Sequence, residues 1–330
     1  MDKTRVAVSG PNCPGWLDAP PFVAITSAYQ PGLGAVFFGV LADGQLWAIS
    51  SEPNGWKTWS KKDWSGPGQP EFILEVAAIA SQNGRLQIWA IDGHHELWSD
   101  TQGAPRFGPW ERNWNNAPSG LIRVAAGRRT GKSTAAIWGI QSDFSLISCY
   151  QRASNSPNGA NTWSPWELWP KIPRESGFSR MAPTLLNDGR AALWVLDQGG
   201  LLWCRFETEP GGEWGEWIGP GWNNAPWLVD ICACEQGGNR GSILFGIRFP
   251  EFTLISTTQL SPGGEWSEWA APGWQVAPEV EWATAAGQKD ATVRIWASSE
   301  TWQCRRLESN AQTSPGGEWG EWDPKLPHTH

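Results

Sequence analysis

A pair of tryptophans three residues apart, or a close variant of it, recurs six times along the chain, with its second member at Trp59, Trp110, Trp166, Trp217, Trp269 and Trp322. The steps are 51, 56, 51, 52 and 53 residues. A period of about fifty residues describes a unit that cannot bury its apolar face alone and must stack on copies of itself. Three copies end in nearly the same words, Pro210-Gly-Gly-Glu-Trp-Gly-Glu-Trp217, Pro262-Gly-Gly-Glu-Trp-Ser-Glu-Trp269 and Pro315-Gly-Gly-Glu-Trp-Gly-Glu-Trp322. Gly55-Trp56-Lys-Thr-Trp59 and Trp163-Ser-Pro-Trp166 are looser versions, and in Phe107-Gly-Pro-Trp110 the first aromatic is Phe.

Between the pairs, short apolar runs are broken by Gly, Asn and Asp, as strands joined by hairpins require. In the second unit Val76–Ala80 leads through Gln82-Asn-Gly-Arg85 to Leu86–Ile91, then through Asp92-Gly93 to Glu96-Leu-Trp98, and Gly108–Arg112 closes it. The Asn-Gly step tolerates positive φ and predicts a tight turn. Four strands per unit are expected. The other units align on this plan, with an aromatic column Phe38, Trp89, Trp138, Trp194, Phe245 and Trp296 in the second strand. Apolar runs without clean alternation imply strands covered on both faces, so neighbouring sheets must stack. With 38 Gly and 26 Pro, helical repeats are set aside. The expected fold is all-β, a six-bladed β-propeller of four-stranded antiparallel blades in one domain. The blades are expected over 22–64, 73–114, 121–169, 178–222, 228–274 and 280–322, with residues 1–21 as a closing arm. Several units continue into Trp-x-x-Ala-Pro; the last lacks it, and Trp16-Leu-Asp-Ala-Pro20 supplies it at the other end. A closed ring would bring residue 16 beside residue 322.

Net charge is −8 with 18% charged residues, which speaks against nucleic acid and anionic membrane partners. No run approaches the roughly 18–20 apolar residues of a membrane span, and Met1–Val8 lacks a signal-peptide core. A soluble product is expected, cytoplasmic or exported by a non-classical route, without membrane insertion. Cys149, Cys204 and Cys304 fall in third strands, and Cys232 and Cys234 alternate along a first strand at apolar positions, so buried thiols are expected rather than bridges or metal ligands.

Several motifs fail on inspection. Gly127-Arg-Arg-Thr-Gly131-Lys132-Ser133 resembles a phosphate loop, but the spacing puts Ala126 where the first Gly belongs, and it falls in a hairpin rather than before a helix. Ser156–Trp163 resembles the Asp box of sialidases without its Asp, and the chain has only Tyr29 and Tyr150 to offer as a tyrosine nucleophile. The carboxylate pairs Glu213/Glu216, Glu265/Glu268 and Glu318/Glu321 occur in triplicate, whereas a catalytic centre is built once from unlike residues. His94-His95 reads as solvated turn. No catalytic residue, metal or cofactor is assigned.

Twenty-seven Trp against two Tyr exceeds what a core requires. Packing accounts for the second Trp of each pair and for the second-strand column. Residues three apart on an extended strand point to opposite faces, so one Trp of each pair is expected at an edge or groove. An indole face beside carboxylates suits a sugar ring, whose C–H face stacks while its hydroxyls hydrogen-bond. Candidate stacking residues are Trp47, Trp98 and Trp203 in the third strands and Trp56, Trp214, Trp266 and Trp319 as first members of pairs, with Glu213, Glu265 and Glu318 accepting hydroxyl hydrogen bonds.

The stretch Asp43-Gly44-Gln-Leu46-Trp47 to Trp59, with Trp163-Ser-Pro-Trp166 and Trp266-Ser-Glu-Trp269, resembles the repeat of bacterial propeller lectins typified by the Photorhabdus fucose-binding lectin. Six blades of this length resemble the fungal Aleuria-type fucose lectins, whose site pairs an Arg on the second strand with a Glu on the next. Val293-Arg294-Ile295-Trp296 matches the first half of that pattern, which marks Arg294; other units carry Val36, Gln87, Ala136, Ala192 and Ile243 there. These resemblances imply a non-catalytic, multivalent lectin with glycans as partners, the sugar and any homo-oligomerisation left open. The alternative is a protein-interaction scaffold using one face of the disc.

Overall fold

The computed structural model describes residues 22–30, 34–52, 55–61, 70–80, 84–102, 110–112, 114–130, 133–152, 163–174, 176–236, 241–271, 280–288, 290–300 and 305–322. The arm 1–21, the linker from Trp274, and Cys304 lie outside them.

Six antiparallel sheets follow one another, each built on a meander in which three long strands pair in chain order. The first strands are Phe22–Gln30, Ile73–Ala80, Leu121–Arg128, Phe178–Leu185, Leu228–Glu235 and Trp282–Gly287. The second strands are Gly34–Leu41, Leu86–Asp92, Ser133–Gln141, Ala191–Asp197, Ser242–Arg248 and Val293–Glu300. The third are Leu46–Glu52, Leu97–Thr101, Leu146–Arg152, Leu202–Phe206, Thr253–Thr258 and Arg305–Ala311. The second-strand aromatics Phe38, Trp89, Trp138, Trp194, Phe245 and Trp296 are at most 1% exposed. Each lies opposite a small residue where the first strands converge, as in Ala77↔Trp89, Ala125↔Trp138 and Ala182↔Trp194.

The expected fourth strand is only partly present. The first sheet gains two short pieces, Gly55–Trp56 and Ser60–Lys61, and the second and third end in Glu111–Arg112 and Glu167–Leu168. The last three sheets have three strands, and their outer segment touches the third strand through isolated bridges such as Glu207↔Trp214, Gln259↔Trp266 and Gln312↔Trp319. An interrupted strand frees the paired tryptophans from the alternation an extended strand imposes. Trp163 and Trp166 therefore both meet Trp114, and Trp214 and Trp217 both meet Trp169. This corrects the expectation that the two members of a pair diverge.

Hydrogen-bonded ladders stay within each sheet, and the sheets adjoin through their first strands in cyclic order, the sixth reaching the first. Ser27 and Thr284 share a 2.9 Å hydroxyl hydrogen bond at that last contact. A second joint repeats around the ring. In five units a residue of the hairpin between the second and third strands, Gly44, His95, Phe144, Gly200 or Phe252, adopts positive φ. Its carbonyl accepts the N–H of the first core residue of the next unit, Ile73, Leu121, Phe178, Leu228 or Val280, at 2.9–3.3 Å. At Gly44 the lack of a side chain also matters, since a Cβ there would lie 2.7 Å from the ring of Phe72.

Cys149, Cys204 and Cys234 are buried free thiols, and Cys232 lines the central cavity. Desolvation pushes all four thiols above their ordinary range. Since the thiolate is the reactive form, Cys149, Cys204 and Cys234 are expected to stay unlabelled by iodoacetamide in the native protein and to label fully in urea. Peptide mass mapping checks this; rapid native labelling of any of the three would contradict their burial.

Candidate functional site

Five of the six junctions between units are aromatic seams among the described residues. The first Trp of a pair meets the second-strand aromatic of the preceding unit, with ring centroids 5.3–6.1 Å apart: Trp163 on Trp89, Trp214 on Trp138, Trp266 on Trp194 and Trp319 on Phe245. Trp56 of the first unit meets Trp296 of the sixth at 5.7 Å. These contacts are close to perpendicular, the edge-to-face geometry that aromatic quadrupoles favour. The linker tryptophans fill the seam from the other side, Trp114 against Trp89 and Trp163, and Trp222 against Trp194 and Trp266. After each comes an Asn in left-handed conformation, Asn115 or Asn223, which donates its Nδ2 to the carbonyl of Ser164 or Ser267 inside the next Trp pair at 3.0 and 2.9 Å.

Trp56, Trp214, Trp266 and Trp319 are half-buried, each leaving part of its ring open at a seam. Glu213, Glu265 and Glu318 are exposed just before the last three, at turns closed by Thr208, Leu260 and Thr313 N–H donating to their backbone carbonyls at 2.8 Å. Their carboxylates have no partner among the described residues. Trp47 is also half-buried.

Trp98 and Trp203 are placed otherwise, at 4% and 2% exposed. Trp98 Nε1 donates to Asp92 Oδ2 at 2.8 Å while Arg112 lies 5.7 Å over its ring, and Trp203 Nε1 donates to Asp197 Oδ2 at 3.3 Å. Gly219 presses on Trp203 so closely that a Cβ would stand 2.6 Å from it. Neither indole has a face to offer a sugar, so the stacking role expected of them is withdrawn. Arg294 is half-buried and donates Nη1 to Ser309 Oγ at 2.9 Å, which fixes it toward its own third strand.

The sequence reading missed two arginines at the junction of the third and fourth units. Arg129 lies 5.5 Å from the ring of Tyr150 and 5.7 Å from that of Trp214, and it is ion-paired with Glu207; the two side chains are 7% and 0% exposed. Arg205 lies between Trp169 and Trp217, 5.1 and 5.5 Å from their rings. Burial lowers its pKa, and Glu216 opposes that shift. A signal for the first pair was present. The residue opposite the first Trp at each bridge is Gln151, Gln259 or Gln312, and Glu207 alone is charged.

Among the described residues no group of three or more His, Cys, Asp or Glu could hold a metal ion, and no helix is long and apolar enough to cross a membrane.

No protein-family model matches the sequence, and no curated protein matches it. Solved structures do. The SapL1 lectin in complex with α-methyl fucoside is similar at a TM-score of 0.63 and 12% identity, over 95% of this chain and 99% of that one. The AofleA protein of Arthrobotrys oligospora is similar at 0.61 and 15%, over 92% and 84%. The Aleuria aurantia lectin, described as a six-bladed β-propeller with a novel fucose recognition mode, is similar at 0.60 and 13%, over 94% and 99%. At these identities the likeness is one of fold.

Proposed function

We propose that this chain is a non-catalytic, multivalent carbohydrate-binding protein, a six-bladed β-propeller whose seams between blades of three or four strands hold the sugars. The reading rests on one repeated observation: a half-buried indole, Trp214, Trp266 or Trp319, beside an exposed and unengaged carboxylate, Glu213, Glu265 or Glu318. Such a pair supplies a flat apolar face and a hydroxyl acceptor at one edge. Trp56 and Trp47 line the equivalent region of the first unit, and Arg294 a donor position in the sixth. Two of the solved structures of similar fold are lectins described with fucose or a fucoside, which favours a glycan ligand here. Single seams bind weakly under this reading, and display of several toward a glycosylated surface raises avidity by about 10²–10⁴.

The test uses substitutions that leave the seam intact. Glu213→Gln, Glu265→Gln and Glu318→Gln together touch only exposed side chains, so folding is expected to be unchanged while binding on a glycan array falls by about tenfold or more per seam. Unchanged array binding would remove the three carboxylates from the sites. If the unmodified protein binds no glycan, the lectin reading fails. A protein-interaction scaffold is then favoured by the exposed Phe144, Phe249 and Phe252 on the hairpins of one face.

A further inference from the structure

The bore enclosed by the six first strands does not repeat six times. A register shift near the start of five of these strands re-aims the residue that follows it, Ala24, Glu75, Arg123, Arg180 or Asp230. Trp282 opens the sixth strand at the same level. Around the ring, two arginines on adjacent strands are thus flanked by two carboxylates, and Ala24 and Trp282 complete the circle. These residues line a cavity of about 760 Å³, within the range of roughly 300–1,000 Å³ common for small-molecule sites. Its inner end narrows at a collar of Ser27, Ala78, Ala126, Pro183, Ala233 and Ala285, which also bounds a second cavity of about 310 Å³. Beyond that collar Arg128 reaches Glu235, two strands away around the ring, at 3.1 Å.

The four charges are only partly used up by one another. Arg123 Nη1 donates to Glu75 Oε2 at 3.2 Å and to the Ile122 carbonyl at 3.0 Å. Arg180 Nε lies 3.2 Å from Asp230 Oδ1, and its Nη1 donates to the Ser179 carbonyl at 3.0 Å. The remaining N–H groups of both guanidiniums, and Oε1 of Glu75, have no partner among the described residues, and these three side chains keep 21–35% of their surface exposed. Desolvation pushes the carboxyls of Glu75 and Asp230 above their ordinary range, while Arg123 and Arg180 pull them back. A ring with spare donors and a spare acceptor but no net charge suits a ligand carrying both signs. A lone anion would face the two carboxylates, and a lone cation the two guanidiniums.

We propose that the wide half of the bore binds a small zwitterion of the amino-acid or betaine type, its acidic group between Arg123 and Arg180 and its ammonium at the Ala24 position, between Glu75 and Trp282. Arg123 and Arg180 stand on neighbouring strands and can share one acid group through charge-assisted hydrogen bonds. The strand bearing Ala24 faces the Arg180 strand across the ring, and its small side chain leaves the gap that an ammonium fills. Glu75 meets that charge from one side, and an indole attracts a cation from the other. The proposal is independent of the seams and of the sugar-binding reading.

Isothermal titration of the full chain with glycine betaine and with glycine, each at millimolar concentration, tests it. Acetate and tetramethylammonium serve as the two halves, with Glu75→Gln as an isosteric variant and Arg180→Gln as a shorter, uncharged one. At least one zwitterion is expected to bind about tenfold more tightly than either half, with affinity falling about tenfold or more in both variants. Absence of heat with both zwitterions overturns the proposal, as does equal binding of the halves or affinity retained in the variants. Trp214→Phe, at a seam, is expected to leave the titration unchanged; a loss there would point to binding outside the bore.

Discussion

Trp194→Ala is expected to destabilise the protein by about 3–5 kcal/mol, and Trp194→Phe by less than about 1.5 kcal/mol. Trp194 is fully buried and meets Phe206, Trp222 and Trp266, so it touches its own sheet, the linker and the next unit at once. Truncation leaves a cavity walled by rings that cannot collapse, because each is fixed by another seam contact. Phenylalanine is the informative control, since Phe38 and Phe245 hold the equivalent position in two other units. Little hydrogen bonding is lost on that change, as Trp194 Nε1 has no acceptor among the described residues. Urea denaturation measures both values, and a midpoint for the alanine variant close to that of the parent would mean that the column does not carry the core.

Arg129→Ala should cost a further class of variant about 3–5 kcal/mol by a different route, leaving the Glu207 carboxylate buried without its cation. Glu207 Oε2 accepts the N–H of Ala191 at 2.8 Å and of Gly211 at 3.0 Å, while Arg129 holds the other oxygen and donates to the Gly212 carbonyl at 3.0 Å. The backbone bonds need an acceptor but no charge. At the matching place Gln312 Oε1 accepts from Val293 at 3.1 Å and Gly316 at 3.4 Å. The double variant Arg129→Met with Glu207→Gln is therefore expected to return within about 1 kcal/mol of the parent, because a buried ion pair contributes little beyond what matched apolar and neutral polar groups supply. A double variant as unstable as the single one would show that the charges themselves hold the third and fourth units together.

What could be read in advance divides along the repeat. The period, the three long strands and the aromatic column were legible because each is stated several times over, and copies of a pattern reinforce one another. The fate of Trp98 and Trp203 was misread because an indole was weighed without its acceptor. In both units an Asp stands six residues before the Trp, Asp92 and Asp197, and Trp47 has Leu41 there instead. Arg129 was missed because its partner is 78 residues away, in the next unit. The charged ring of the bore was missed for the opposite reason. The aligned position is Ala24, Glu75, Arg123, Arg180, Asp230 and Trp282 in turn, with only arginine occurring twice, so a search for sameness passes over it.

The seams also dictate when each part of the protein can be finished during synthesis. A unit's buried aromatic is covered by a tryptophan from the following unit, so every sheet leaving the ribosome waits for its successor before its core is dry. Trp56 is the exception in time: it is made early, yet its seat is Trp296, some two hundred and forty residues later in the chain. The first unit therefore waits for the sixth before Trp56 can dock, and through that interval its seam exposes apolar surface of the kind that favours aggregation.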